Sequence, residues 1–231
     1  MRARKTQSSA DIVENSSHER MSDIAYKRLL EGLFSRKIAA GSFVSQTSLV
    51  ETFDVPVQPL RDALRVLEAE GVLAVHPRSG IEFLKPDLEL ARSTYQFRTI
   101  IERAAARHSA TAGDVNYFAE VIKEHETLIA TIEGGTFNDD ILIEAERLER
   151  RLHDGMLDTL NNLLVTTTAR RLKNYVQLIR LERIITPPLI LQSLNEHLAI
   201  LEAITKRDEQ AAEAALASHF QASLQRILGM F

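Results

Sequence analysis

Glu149 and His153 stand four residues apart in the stretch "ERLERRLHDG". On a helix this spacing puts both side chains on one face, where two ligands can hold one metal ion. The chain has seven histidines. His18 lies near the N-terminus, His76 just before a turn sequence, and His108 and His125 among polar helix positions. His197 and His219 belong to two later helical stretches. Helices far apart in sequence can converge in a bundle core. Taken singly, a helical histidine is more often a structural or surface residue than a ligand. Spacing alone therefore leaves this set open.

A second set of residues has a different chemistry. In "PVQPLRDALRVLEAEG" (56–71), Arg61 and Arg65 lie one helical turn apart, and Gln58 lies one turn before Arg61. The three share a face opposite the apolar stripe of Leu60, Ala63, Leu64 and Leu67. Arginine suits guanine O6 and N7, and glutamine suits adenine N6 and N7. Thr47, near the start of the preceding helix, can donate to a phosphate. Arg78 sits beside Gly80 in "PRSG", within reach of a backbone or a minor groove. The alternative is an ordinary solvated helix face, with Asp62 and Glu68 close by.

The elements around these residues decide between such readings. Residues 23–38 place Tyr26, Leu29, Leu30, Leu33 and Ile38 at helical spacing. Ser45 is a candidate N-cap for a second helix with Leu49, Val50 and Phe53 on its apolar face. The third helix runs to Gly71. "VLAVH" and "IEFLK" are strand-prone pieces around the "PRSG" turn. Three helices and a hairpin make a winged helix-turn-helix. From Asp87 onward the pattern is helical throughout, with helices expected at about 88–112, 114–133, 138–160, 162–183, 189–206 and 208–229. The fold is thus mainly α. A tail over 1–21 precedes a winged helix-turn-helix domain over 22–86 and an all-α six-helix bundle over 87–231.

Composition narrows the function. There are no cysteines, which excludes disulfides and thiolate metal sites. No apolar run approaches a membrane span, and the polar N-terminus is not a secretory signal. A cytoplasmic protein without membrane contact is expected. The net charge is −4. Residues 22–85 carry eight basic and eight acidic residues, while 86–231 carry sixteen and twenty-one. Charge gives little support to DNA binding, so that case rests on geometry.

The stretch "GSFVSQTSLVETFDVPVQPLRDALRVLEAEGVLAVHPRSG" resembles the N-terminal domain of GntR-type transcription regulators. Gly41, Leu49, Phe53, Val55, Pro59, Arg61, Leu64, Gly71 and Gly80 carry the likeness. The helical remainder resembles the FCD effector-binding domain of the FadR subfamily, through "RTIIE" (98–102), "ERRLH" (149–153), "EH" (196–197) and His219. The resemblance implies a DNA-binding regulator with Thr47, Gln58, Arg61, Arg65, Arg78 and Gly80 at the DNA. It also implies a metal set of Glu149, His153, His197 and His219. Three imidazoles and a carboxylate suit Zn²⁺, Ni²⁺, Fe²⁺ or Mn²⁺. Arg98 is the candidate cation for a small carboxylate effector, or the partner of Glu102 on its own helix.

The likeness has departures. Pro56 and Val57 stand where the family has Ser and Arg, so a cap and a DNA contact are missing. Glu149 stands where Asp is usual. The expected protein is a homodimer on double-stranded operator DNA, with metal and carboxylate modulating affinity. The helix starting near Leu88 follows the wing directly and offers a route for coupling. A constitutive DNA-binding dimer without effector is one alternative. A metal-dependent enzyme is the other, because a metal with open positions can activate water.

Overall fold

The computed structural model describes residues 20–181 and 185–229. The N-terminal part runs α1 (Met21–Phe34), β1 (Phe43–Val44), α2 (Gln46–Phe53), α3 (Val57–Ala69), β2 (Leu73–His76) and β3 (Gly80–Phe83). The helices α4 (Leu88–Ala112), α5 (Val115–Glu133), α6 (Asp139–Thr159), α7 (Leu163–Arg180), α8 (Pro187–Thr205) and α9 (Glu209–Ile227) follow. The fold is mainly α, a winged helix-turn-helix followed by a six-helix bundle. Most of the expected tail, including His18, lies outside the described residues. Met21, its last residue, already belongs to α1.

Capping residues set most helix ends. The side chains of Ser45, Asp87, Asp114, Asn138, Asn162 and Asp208 each accept a backbone N–H from the first turn of their helix. The α8 helix begins at Pro187, two residues before the expected start. Proline lacks only an N–H that the first turn leaves unpaired anyway. The α1 helix stops at Phe34 rather than Ile38, and Arg36 takes a left-handed φ of 61°. Ile38 still reaches the core.

The sheet has three strands in the order β1-β3-β2, all antiparallel. The sequence pattern predicts only the hairpin of β2 and β3. The short β1 adds an edge, with Phe43 opposite Glu82 and Val44 opposite Ile81. Leu29, Leu49, Leu60, Leu67, Val72, Ile81 and Phe83 form the core beneath it. A second core joins α4, α5, α6, α8 and α9 through Tyr95, Phe118, Val121, Leu152, Met156, Ile200, Leu216 and Phe220.

The two parts meet along α7. Leu178 is fully buried within the winged-helix core. The Asn174 amide donates to Glu70 Oε2 at 3.1 Å and to the Tyr26 hydroxyl at 3.3 Å. Tyr26 in turn donates to Glu70 Oε2 at 2.8 Å. Burial, eased by Asn174 and reinforced by Glu70, pushes the Tyr26 hydroxyl up to about 12. The Tyr175 hydroxyl donates to the Glu70 carbonyl at 2.6 Å, and Arg36 donates to the Leu181 carbonyl. Glu70 is the C-cap residue of α3, so α7 grips the end of that helix.

Gly71 is required there for two reasons. Its φ is +76°, and a Cβ would stand 2.4 Å from the Tyr175 hydroxyl. A left-handed L-residue costs about 1–2 kcal/mol before any clash. Gly71→Ala should therefore lower unfolding free energy by at least about 1–2 kcal/mol in urea denaturation. Stability equal to the wild type would show that neither constraint operates.

Candidate metal centre and nucleic-acid interface

Three helices deliver one imidazole each to the middle of the bundle. On α6, His153 lies on the buried side with Leu148, Leu152 and Met156. On α8, His197 falls in the buried run of Leu194, Ile200 and Leu201. On α9, His219 sits between Leu216 and Ser223. The ring centres of His197 and His219 are 4.7 Å apart, and His153 lies 5.6 and 5.5 Å from them. One nitrogen from each lies within 4.8 Å of the others.

All three Nε2 atoms are buried without a hydrogen-bond partner. A buried polar atom left unpaired costs about 1–3 kcal/mol, so three together need explaining. Every Nδ1, by contrast, is held. That of His153 donates to Glu102 Oε2 at 2.5 Å, and that of His219 to Glu196 Oε2 at 2.8 Å. His197 Nδ1 lies 3.2 Å from His125 Nε2. Each ring is anchored on its outer side and presents a bare Nε2 inward, which is how metal-ligating histidines are oriented. A divalent ion fits this set, because each Nδ1 is engaged outward and the three Nε2 atoms are left to offer lone pairs.

The supporting carboxylates are themselves clamped. Arg98 Nε donates to Glu102 Oε1 at 2.7 Å. Arg226 donates through two nitrogens to Glu196, at 2.6 and 2.7 Å. Burial alone would raise Glu102, but Arg98 and His153 bring it down to about 2. Glu196 is also raised by burial and brought to about 2 by Arg226 and His219. Burial drives His197 well below its ordinary value, and the neighbouring His219 adds to this. Burial also lowers His219 and His125, the former against the pull of Glu196.

Glu149 stands close but is engaged elsewhere. Its Oε1 is 3.8 Å from His153 Nε2 and accepts from Arg180 at 2.6 Å. Burial would raise its carboxyl, yet Arg180 and the histidines hold it well below the usual range. Arg98 makes the expected bond to Glu102, while its NH1 is buried and unpaired, as is Arg180 Nε. Arg98, Glu102, Glu149, His153 and Arg180 line one cavity of about 70 Å³. A larger, mostly apolar cavity of about 350 Å³ shares Glu149 and Arg180 in its wall. Leu142, Leu189, Leu194, His197 and, from α1, Phe34 line it.

His125 corrects the sequence reading. It is not a polar-face residue but is fully buried, with Phe118, Val121, Leu128 and Ile132 on the same stripe of α5. That stripe was its signal, masked by Lys123, Glu124 and Glu126 on either side. Glu196, Arg226 and Arg180 join the site through long-range pairs that no local spacing marks. His108 is exposed, and His76 pairs with Glu82 at 2.7 Å in the wing.

The other candidate face lies on α3. Gln58, Arg61 and Arg65 are all exposed, as are Thr47 on α2 and Arg78 at the wing tip. Gln58 donates to Asp62 at 3.1 Å, Arg65 to Asp62 at 3.4 Å, and Arg61 to Gln46 at 3.2 Å. These are exposed contacts of little net worth, so the side chains can exchange them for DNA. Pro56 is the α3 N-cap and makes no side-chain cap bond, as its missing hydroxyl requires. Val57 is half-exposed, next to Gln58. Gly80 has a φ of +121°, and a Cβ there would meet the Val44 carbonyl at 3.0 Å. It shapes the wing.

Residues 22–83 match the gntR family of bacterial regulatory proteins, and residues 93–222 match the FCD domain. The chain belongs to the GntR family, with a C-terminal FCD domain. It is similar to the HTH-type transcriptional repressor RspR of Escherichia coli strain K12, at 28% identity over 85% of this chain and 84% of RspR. Among solved structures, E. coli McbR/YncC aligns with a TM-score of 0.72 at 17% identity, over 92% of this chain and 99% of that one. The metal-free FCD domain of TM0439 aligns with a TM-score of 0.52 at 19% identity, over 62% and 95%. The GntR protein is thus a DNA-binding transcriptional regulator, and its relatives are regulators rather than enzymes. No helix among the described residues is long and apolar enough to cross a membrane.

The buried imidazoles set an acid limit on stability. An unfolded histidine takes a proton as pH falls through 6.5, whereas His125, His197 and His219 resist it. The unfolded chain then binds more protons, so stability falls with falling pH. Glu102 and Glu196, at about 2 when folded against 4.5, extend the loss further into acid. Urea denaturation of the metal-free protein should show stability dropping below pH 6.5. A flat profile down to 4.5 would contradict the neutral buried imidazoles.

Proposed function

We propose that this regulator binds a divalent metal ion through His153, His197 and His219, and a small carboxylate beside it that alters operator affinity. The observation carrying this reading is the cluster of three histidines with unpaired Nε2 atoms, of which His153 lines a cavity with the unpaired guanidinium groups of Arg98 and Arg180. Zn²⁺, Ni²⁺, Fe²⁺ and Mn²⁺ all suit such ligands. The ion would supply a Lewis-acidic position for a carboxylate oxygen. Arg98 and Arg180 would take the charge of that carboxylate. Glu149, already an anion near His153, would serve as the fourth ligand once released by Arg180. The solved FCD domain described as metal-free supports a metal in this kind of domain.

DNA is read by Gln58, Arg61 and Arg65 on α3, with Thr47 at a phosphate and Arg78 and Gly80 in the wing. The domains are taken as 22–86 and 87–231. The protein works in the cytoplasm as a homodimer, because helix-turn-helix dimers match two-fold operators. Arg61→Ala should weaken specific operator binding by about 1–3 kcal/mol without unfolding the protein. An unchanged affinity in a fluorescence-anisotropy titration would remove Arg61 from the reading set.

Two connections link effector and operator. The α4 helix follows the wing after Lys85 and Pro86. The α7 helix carries Arg180 at the centre and grips Glu70 at the end of α3 through Asn174 and Tyr175. A carboxylate that takes Arg180 from Glu149 shifts α7 and with it the α3 end. The ligand must favour one conformation, or no coupling follows. Coupling of about 1–3 kcal/mol corresponds to roughly 5–150-fold in operator affinity. The test is an operator titration of Zn²⁺-loaded protein with and without a carboxylate selected by thermal shift. A ligand that binds at the metal yet leaves operator affinity unchanged defeats the coupling and favours a constitutive DNA-binding dimer.

A further inference from the structure

His125 is the one member of the histidine cluster that the metal reading leaves without a task. It is fully buried on α5, and its ring centre lies 5.4 Å from that of His197. Its two contacts fix its proton. Nδ1 lies 2.8 Å from the Val121 carbonyl, which can only accept. The proton is therefore on Nδ1. A neutral imidazole has one N–H, so His125 Nε2 is a lone pair and must accept. The group facing it at 3.2 Å is His197 Nδ1, which therefore carries the proton of that ring. His197 Nε2 is left bare, buried and unpaired, on the side of His153 and His219.

We propose that His125 is a positioning residue of the metal centre, holding His197 in its Nδ1–H form so that a bare Nε2 faces the ion. The proposal rests on the metal reading above. It differs from the other two anchors in charge. Glu102 and Glu196 do the same service for His153 and His219 as carboxylates balanced by Arg98 and Arg226. His125 does it without charge, by relaying the backbone dipole of Val121. A third carboxylate here would have no arginine to balance it among the described contacts. The neutral relay leaves His197 the least electron-rich of the three ligands.

The first test needs no metal. Imidazole nitrogen NMR of the metal-free protein at mildly alkaline pH should show both His125 and His197 protonated on Nδ1, the form that free histidine disfavours. His197 protonated on Nε2 would overturn the proposal. The second uses Zn²⁺ alone, with affinity read by chelator competition. His125→Leu keeps bulk but not the acceptor, and should weaken Zn²⁺ binding about 10–100-fold. His125→Gln offers an amide oxygen in its place and should restore most of that loss, which a packing role would not predict. Thermal unfolding of the metal-free variants is the folding control. If His125→Leu does not fold, the wild-type proton positions and His125→Gln still decide. Zn²⁺ binding by a folded His125→Leu as tight as wild type would overturn the proposal, as would direct ligation by His125. If the wild type takes up no Zn²⁺ while His197 is in the Nδ1–H form, the failure lies in the metal reading and not in the relay.

Discussion

A neutral imidazole has one donor and one acceptor, and the middle of this bundle gathers three histidines whose Nε2 atoms have no hydrogen-bond partner. Everything around them is arranged to keep that state. Were His153 or His219 to take the other tautomer, an N–H would point inward and the lone pair on Nδ1 would meet a carboxylate. Glu102 and Glu196 forbid this for His153 and His219, because an ionised carboxylate accepts and never donates. Arg98 and Arg226 forbid the carboxylates from taking protons. The order of cause runs outward: arginine fixes glutamate, glutamate fixes histidine, and histidine presents a lone pair.

The inward-facing set and its anchors draw on five of the six bundle helices. Each ligand comes from a different helix, and each anchor comes from a helix other than that of the ligand it holds. Glu102 on α4 holds His153 on α6, and Glu196 on α8 holds His219 on α9. His125 on α5 faces His197 on α8. The polar contacts therefore cross between the helices that the apolar core already joins. Phe220 stacks on His153 at 5.5 Å and lies under the Arg98 guanidinium at 4.6 Å, so core and polar network share a residue. Loss of one anchor would loosen both.

Local chemistry was legible in the sequence, and long-range pairing was not. Asn138, Asp208 and Gly71 mark helix ends through their own side chains or lack of one, and the helices start or stop there. The Glu149–His153 spacing is visible because both residues sit on one helix. The partners of Glu149 and His153, Arg180 and Glu102, lie 31 and 51 residues away, and no local period joins them. The β1 strand is too short to show alternation and exists only by pairing with β3. His125 was readable in principle. The apolar residues three and four positions on either side of it mark a buried stripe, but its immediate neighbours are charged.

The Glu149–Arg180 pair carries a tension between two roles. As a ligand, Glu149 would need to give up a charged hydrogen bond in a buried site. Breaking a buried pair is costly because it strands a charge, unless both charges find new partners. A metal ion offers one to Glu149, and a carboxylate offers one to Arg180. Each alone leaves the other charge unpaired, so the two guests are favourable chiefly together. Arg180 stands at the end of the helix whose Leu178 lies in the DNA-binding core. Glutamate at this position, where the resembled family has aspartate, reaches Arg180 on α7 at 2.6 Å. If Glu149 gives up Arg180 for an ion, the exchange falls on the helix that holds the end of α3.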